Sequence, residues 1–133
     1  MIYKLKEINK ACVYLQKEIK NDIILISGDV GAGKTTLVKE YCKLIGVKEN
    51  VNSPTYTLIN QYKCNSKIVV HIDLYRVNNL IEINELGLFD YLENNLVIIE
   101  WPEIILNQID FNYTLVTIKY INKSHRKLSI SNK

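Results

Sequence analysis

Residues 23–35 read IILISGDVGAGKT, and no other stretch constrains the fold as tightly. Ile23-Ile24-Leu25-Ile26 is a continuous apolar run, the pattern of a short strand covered on both faces. Gly28-Asp29-Val30-Gly31-Ala32-Gly33-Lys34-Thr35 fits G-x-x-x-x-G-K-[ST]. Helical spacing follows over 34–45 and stops at Gly46. A strand, a glycine-rich turn and a helix in that order make a cradle for phosphate. The glycines let successive backbone N–H groups face one point, and the helix N-terminus adds partial positive charge. Lys34 is placed to reach the β- and γ-phosphates of a nucleotide, and Thr35 to offer its hydroxyl to Mg²⁺.

A phosphate loop needs a metal-side carboxylate at the end of a neighbouring buried strand. Leu96-Val97-Ile98-Ile99 ends in Glu100 and supplies one. Asp73, closing the run Ile68-Val69-Val70-His71-Ile72, is a second candidate for the same ion or its water shell, since Mg²⁺ usually keeps several waters. His71 reads either as a base or as a packed strand residue hydrogen-bonding a neighbour, with the structural role favoured because a lone His is weak evidence without a partner. Tyr75 and Arg76 read either as braces of the next loop or as partner-facing anchors. The guanine-specific Asn-Lys-x-Asp box is missing, because neither Asn9-Lys10 nor Asn122-Lys123 is followed by the required Asp. ATP, cycling to ADP, is therefore the expected nucleotide.

The remaining pattern predicts strands over 2–5, 56–62, 67–73, 96–99, 113–120 and 127–130, with helices over 7–20, 82–87 and 88–92. With no repeats and no linker, residues 1–133 read as one α/β domain of three layers: a P-loop NTPase fold with a central, mostly parallel sheet, antiparallel additions and helices on both faces. The three cysteines are far apart and form no CxxC, which fits a reducing compartment without disulfides or a zinc site. No apolar run approaches the ~20 residues needed to span a bilayer, and residues 1–11 lack a signal-peptide core. The expectation is a cytoplasmic protein without a membrane partner.

Three further stretches share the order and spacing of one family: Ser53-Pro54-Thr55-Tyr56-Thr57-Leu58, His71-Ile72-Asp73-Leu74-Tyr75-Arg76 and Ile99-Glu100-Trp101-Pro102-Glu103. Together with Gly28 to Thr36 they closely resemble TsaE (YjeE), the small ATPase of bacterial tRNA threonylcarbamoyladenosine (t6A) synthesis. The resemblance runs over about 7–103; beyond it only the strand pattern and Arg126 match. It implies a Mg²⁺-dependent ATPase, weak alone, that joins a TsaB–TsaD heterodimer and meets tRNA through that complex. Its ATP cycle would reset the complex while TsaD transfers threonylcarbamoyl to adenosine 37 of ANN-decoding tRNAs.

By the same resemblance Gly28, Asp29, Val30, Gly31, Ala32, Gly33, Lys34, Thr35 and Thr36 bind ATP, with Arg126 a looser nucleotide contact. Lys34, Asp73 and Glu100 are catalytic, and Thr35, Glu100 and Asp73 are metal-side. Ser53, Pro54, Thr55 and Tyr56, with Tyr75, Arg76 and Trp101, form a switch or partner region. The alternative is a stand-alone P-loop kinase, for which two arginines and little chain for a lid are poor equipment.

Overall fold

The computed structural model describes residues 1–54 and 56–133. Seven strands form one sheet: β1 (Ile2–Lys4), β2 (Ile23–Ser27), β3 (Ile59–Cys64), β4 (Lys67–Asp73), β5 (Leu96–Glu100), β6 (Thr114–Asn122) and β7 (His125–Asn132). Their spatial order is β1-β7-β6-β2-β5-β4-β3. The four central strands run parallel, with β2 between β6 and β5 and β5 next to β4. Antiparallel strands finish both edges.

Period-two alternation sorts the side chains into two cores. Ile24 and Ile26 of β2 join Ile98, Val69, Val116 and Ile118 against α1 (Ile8–Glu18) and α2 (Lys34–Ile45). Ile23 and Leu25 join Val97, Ile99, Val70 and Ile72 against α3 (Leu80–Leu86) and α4 (Leu88–Tyr91). The three layers therefore follow from strands buried on both faces. Carrying the alternation onward places Glu100 on the same face as Ile98, and His71 and Asp73 on the same face as Val69. All three polar residues face the α2 layer, and the register sets Asp73 opposite Glu100.

Several boundaries differ from those expected. Residues 56–58 form a turn and β3 begins at Ile59, because Leu58 adopts a left-handed conformation (φ 68°) and its carbonyl accepts from Asp73 N–H. Helix α3 starts at Leu80, ahead of the expected 82: the Asn79 side chain accepts from Glu82 N–H, and Glu82 in turn accepts from Asn78 N–H. Two short 3-10 turns, Pro102–Ile104 and Leu106–Gln108, were not anticipated, since single turns carry no periodic signal. The Ile105 side chain between them is fully buried and holds this connection on the sheet.

The cysteines Cys12, Cys42 and Cys64 are free and buried, as expected of a chain without disulfides. Burial pushes Cys12 up to about 11 and Cys42 up to about 12, so both stay thiols at neutral pH. No helix among the described residues is long and apolar enough to cross a membrane.

Sheet and loop meet most closely at Gly28, where a Cβ would lie 2.7 Å from the Ile118 carbonyl oxygen of β6. Both partners there are backbone, so neither can rotate away. Gly28→Ala is expected to cost about 1–3 kcal/mol in stability, read as a lower midpoint in urea unfolding. An unchanged midpoint would mean that loop and β6 separate easily.

Candidate functional site

Strand β2 ends at Ser27, and the chain turns back through residues 28–33 to start α2 at Lys34. Gly33 caps α2 with φ 103°, a conformation that penalises any side chain. No side chain caps the helix, so its first N–H groups remain available at the loop. Beside it lies a cavity of about 410 Å³. The loop lines it with Val30, Gly31, Gly33, Lys34, Thr35 and Thr36, and the strand ends add Asp73, Tyr75, Glu100, Trp101 and Ser53. Sequence-distant candidates thus converge on one concave site. Gly28, Asp29 and Ala32 form the back of the loop; the Asp29 carbonyl accepts from Ala32 N–H (3.0 Å) and closes the turn.

Lys34 is buried, and its ammonium donates to the carbonyls of Gly28 and Asp29, the latter at 2.9 Å. The charge also lies 4.1 Å from the centre of the Trp101 ring. Burial holds the Lys34 ammonium below the ordinary lysine range, while Glu100, Glu103, Asp73 and Asp29 pull it back toward the charged form. Trp101 reaches this position by adopting a left-handed conformation (φ 58°) directly after β5. Pro102 follows at the first position of a 3-10 turn. Tyr75 packs on the Trp101 ring at 4.8 Å, so the lysine and both aromatics form one stack at the cavity wall.

Glu100 is 1 % exposed. Thr35 Oγ1 donates to its Oε1 at 2.8 Å, and His71 Nε2 lies 2.5 Å from its Oε2. A carboxylate oxygen accepts, so Nε2 carries the shared hydrogen. The His71 ring is fully buried, and its Nδ1 has no hydrogen-bond partner among the described residues. His71 is thus a packed strand residue hydrogen-bonded to a neighbour, as favoured from the sequence, and the bond fixes the orientation of the Glu100 carboxylate. The sequence reading did not identify Glu100 as that neighbour. The signal was present in alternation, which sets residue 71 two positions before Asp73 on the same face, but it needed the β4–β5 register to be seen.

Asp73 is buried and accepts from Tyr75 N–H at 2.9 Å, which tightens the turn after β4. Thr35 and Glu100 present a hydroxyl and a carboxylate oxygen side by side, with Asp73 on the neighbouring strand. These hard oxygen donors suit Mg²⁺ rather than a soft metal. Among the described residues no group of three His, Cys, Asp or Glu side chains is arranged to hold a metal ion.

Arg126 is not brought into the cavity. Its Nε donates to the Ala32 carbonyl (3.0 Å), its Nη1 to the carbonyls of Asn122 and His125, and its guanidinium lies over the Tyr120 ring. It braces the loop from behind. Arg76 lies over the exposed Tyr56 ring at 4.4 Å, outside the cavity lining. The Pro54 carbonyl accepts from Leu58 N–H; Thr55 lies outside the described residues.

Residues 3–128 match the family described as Threonylcarbamoyl adenosine biosynthesis protein TsaE. The chain is 38% identical over 127 residues to the tRNA threonylcarbamoyladenosine biosynthesis protein TsaE of Rickettsia felis, covering 94% of this chain and 74% of the relative. The protein of that name from Bacillus subtilis is 32% identical over 111 residues, covering 83% and 69%. The crystal structure of Bacillus subtilis YdiB superposes with a TM-score of 0.71 at 22% identity, covering 98% of this chain and 83% of that one, and so shares the fold. The chain belongs to the TsaE family of t6A biosynthesis.

Proposed function

We propose that the chain is the ATP-hydrolysing subunit of a tRNA t6A-modifying complex, docking on a TsaB–TsaD heterodimer. Its ATP cycle resets that complex between turnovers, and threonylcarbamoyl transfer itself is left to the partner. The observation that carries this reading is the hydrogen-bonded series Thr35–Glu100–His71 beside the buried Lys34 ammonium, all at one phosphate-shaped loop.

In this reading Lys34 exchanges its contacts with the Gly28 and Asp29 carbonyls for the β- and γ-phosphates. Thr35 and Glu100 would hold Mg²⁺, with Asp73 placed to orient water beside them, and the bound ion would supply charge neutralisation at the phosphates. His71 holds Glu100 in one orientation, and Trp101 with Tyr75 closes the wall behind the ammonium. Lys34 is the one cation lining the cavity among the described residues, since both arginines are engaged elsewhere. The transition state of phosphoryl transfer spreads charge over the transferred group, and an arginine supplied in trans can stabilise it by about 10³–10⁵ in rate. A catalytic centre lacking that group is expected to turn over slowly alone and to depend on its partner.

Glu100→Gln is expected to retain ATP binding and to lower steady-state hydrolysis by about a hundredfold or more, because displacing the ion removes several kcal/mol of charge stabilisation. Undiminished turnover would remove Glu100 from the mechanism. His71→Ala is expected to lower Mg²⁺ affinity or turnover by about 10- to 100-fold, as removal of an orienting partner does, and His71→Gln to restore part of it. Adding the TsaB–TsaD pair to the wild-type protein should raise ATP hydrolysis. Equal rates with and without the pair would contradict a subunit role, and phosphoryl transfer to a small acceptor would indicate a kinase.

A further inference from the structure

Residues 111–133 contain Lys119, Lys123, Arg126, Lys127 and Lys133 and no Asp or Glu. The chain's net charge of +3 therefore resides wholly in this segment, and the rest of the molecule is slightly acidic. The segment folds as the β6–β7 hairpin, to which β1 adds a third strand.

Alternation divides the tip of this hairpin into two faces. Tyr3, Ile118, Arg126 and Leu128 turn toward the α1–α2 layer and are buried. The opposite face carries Lys119, directly paired with Lys127, which is in turn paired with Ile2; Lys4 lies one step along β1, and Lys123 sits at the turn. These four lysines are all exposed, and none forms an ion pair among the described residues.

Like charges directly opposite one another across antiparallel strands are destabilising. Lys119 and Lys127 stand in that relation with no anion between them. Neighbouring strands lie about 4.8 Å apart, so Lys119 and Lys127 are close, and Lys4, paired with His125, lies diagonally from Lys127 on the same face. The arrangement is unfavourable by itself and favourable under a polyanion, because neutralising phosphates releases their condensed counterions.

We infer that this face of the β6–β7–β1 tip binds the phosphate backbone of tRNA directly, through Lys4, Lys119, Lys123 and Lys127. An acidic protein would meet the same charge, but protein interfaces deplete lysine and anchor on aromatic side chains and arginine. The face holds four lysines and no arginine, with Ile2 and Ile121 as exposed apolar neighbours. The inference rests on membership of a family that acts in tRNA modification and not on the ATPase reading. The strip begins one residue beyond Ile118, whose carbonyl packs against Gly28, so the RNA would lie beside the phosphate loop without entering its cavity.

The experiment is fluorescence anisotropy of the full chain with an unmodified tRNA transcript over rising salt, repeated for K119Q/K127Q and K4Q/K123Q. ATP binding and ATPase activity are measured in parallel. Wild-type protein is expected to bind tRNA with an affinity that falls steeply with salt. Each double variant is expected to lose about tenfold at low salt and to flatten the log–log slope by about one to two, with ATP binding unchanged. K119Q/K127Q should also show an equal or higher Tm, since it relieves the paired repulsion, and this separates lost binding from lost folding. The inference is overturned if wild type fails to bind the transcript at low salt, or if the variants bind it as tightly as wild type. It is equally overturned if the variants keep tRNA affinity but lose affinity for polyglutamate or for the TsaB–TsaD pair, which would assign the face to an acidic protein. Loss of ATPase activity with tRNA binding intact would strike the proposed function and leave this inference standing.

Discussion

The buried carboxylate of Glu100 is the interaction on which the site depends. An ionised group with 1 % exposure is costly unless donors or cations meet it. Here the donors come from two directions. Thr35 brings the phosphate loop and the start of α2, and His71 brings the neighbouring parallel strand. One carboxylate thus fastens the loop to the sheet and presents an oxygen to the cavity. Structural and chemical roles are joined in the same hydrogen bonds. Removing either partner would leave a buried polar group unpaired and would also change what the cavity offers a metal.

The loop is held from several other sides. Arg126 binds the Ala32 carbonyl from behind, the Ile118 backbone packs against Gly28, and Lys34 closes on the loop's own carbonyls in front. Trp101 covers that ammonium, and Tyr75 covers Trp101. Four described non-glycine residues have positive φ: Asn65 and Asn94 lie in turns, where asparagine tolerates it, while Leu58 and Trp101 lie at the ends of segments that reach the site. Through Tyr75 and the turn after β4, the cavity wall connects to the exposed Arg76–Tyr56 pair at the molecular surface.

Much of this was legible in the chain. Four apolar residues before the glycine loop required a strand buried on both faces, hence helices on both sides of the sheet. The loop's own spacing required α2 to begin at Lys34, and Gly46 ended it. The runs ending in Asp73 and Glu100 placed two carboxylates at strand ends. Less legible were elements without periodicity, such as the 3-10 turns after Trp101, and those whose composition mimics a strand, such as residues 56–58. The Asn79 cap was overlooked because the apolar spacing after it is weak. Arg126 matched a nucleotide contact in position along the chain, whereas packing turned its guanidinium onto backbone carbonyls.

Sequence alone determined the chemistry present: a glycine-rich loop of phosphate-binding spacing, a threonine hydroxyl beside it, two carboxylates at strand ends and a basic C-terminal segment. Local spacing suffices for these, because strand alternation and the strand–loop–helix turn are properties of neighbouring residues. Only the tertiary structure decided which of them touch. The pairing of His71 with Glu100, the seating of Lys34 under Trp101 and the opposition of Lys119 to Lys127 all depend on register between strands distant in the chain. Register is a global property, set when both faces of the sheet find their cores at once, and no single segment carries it.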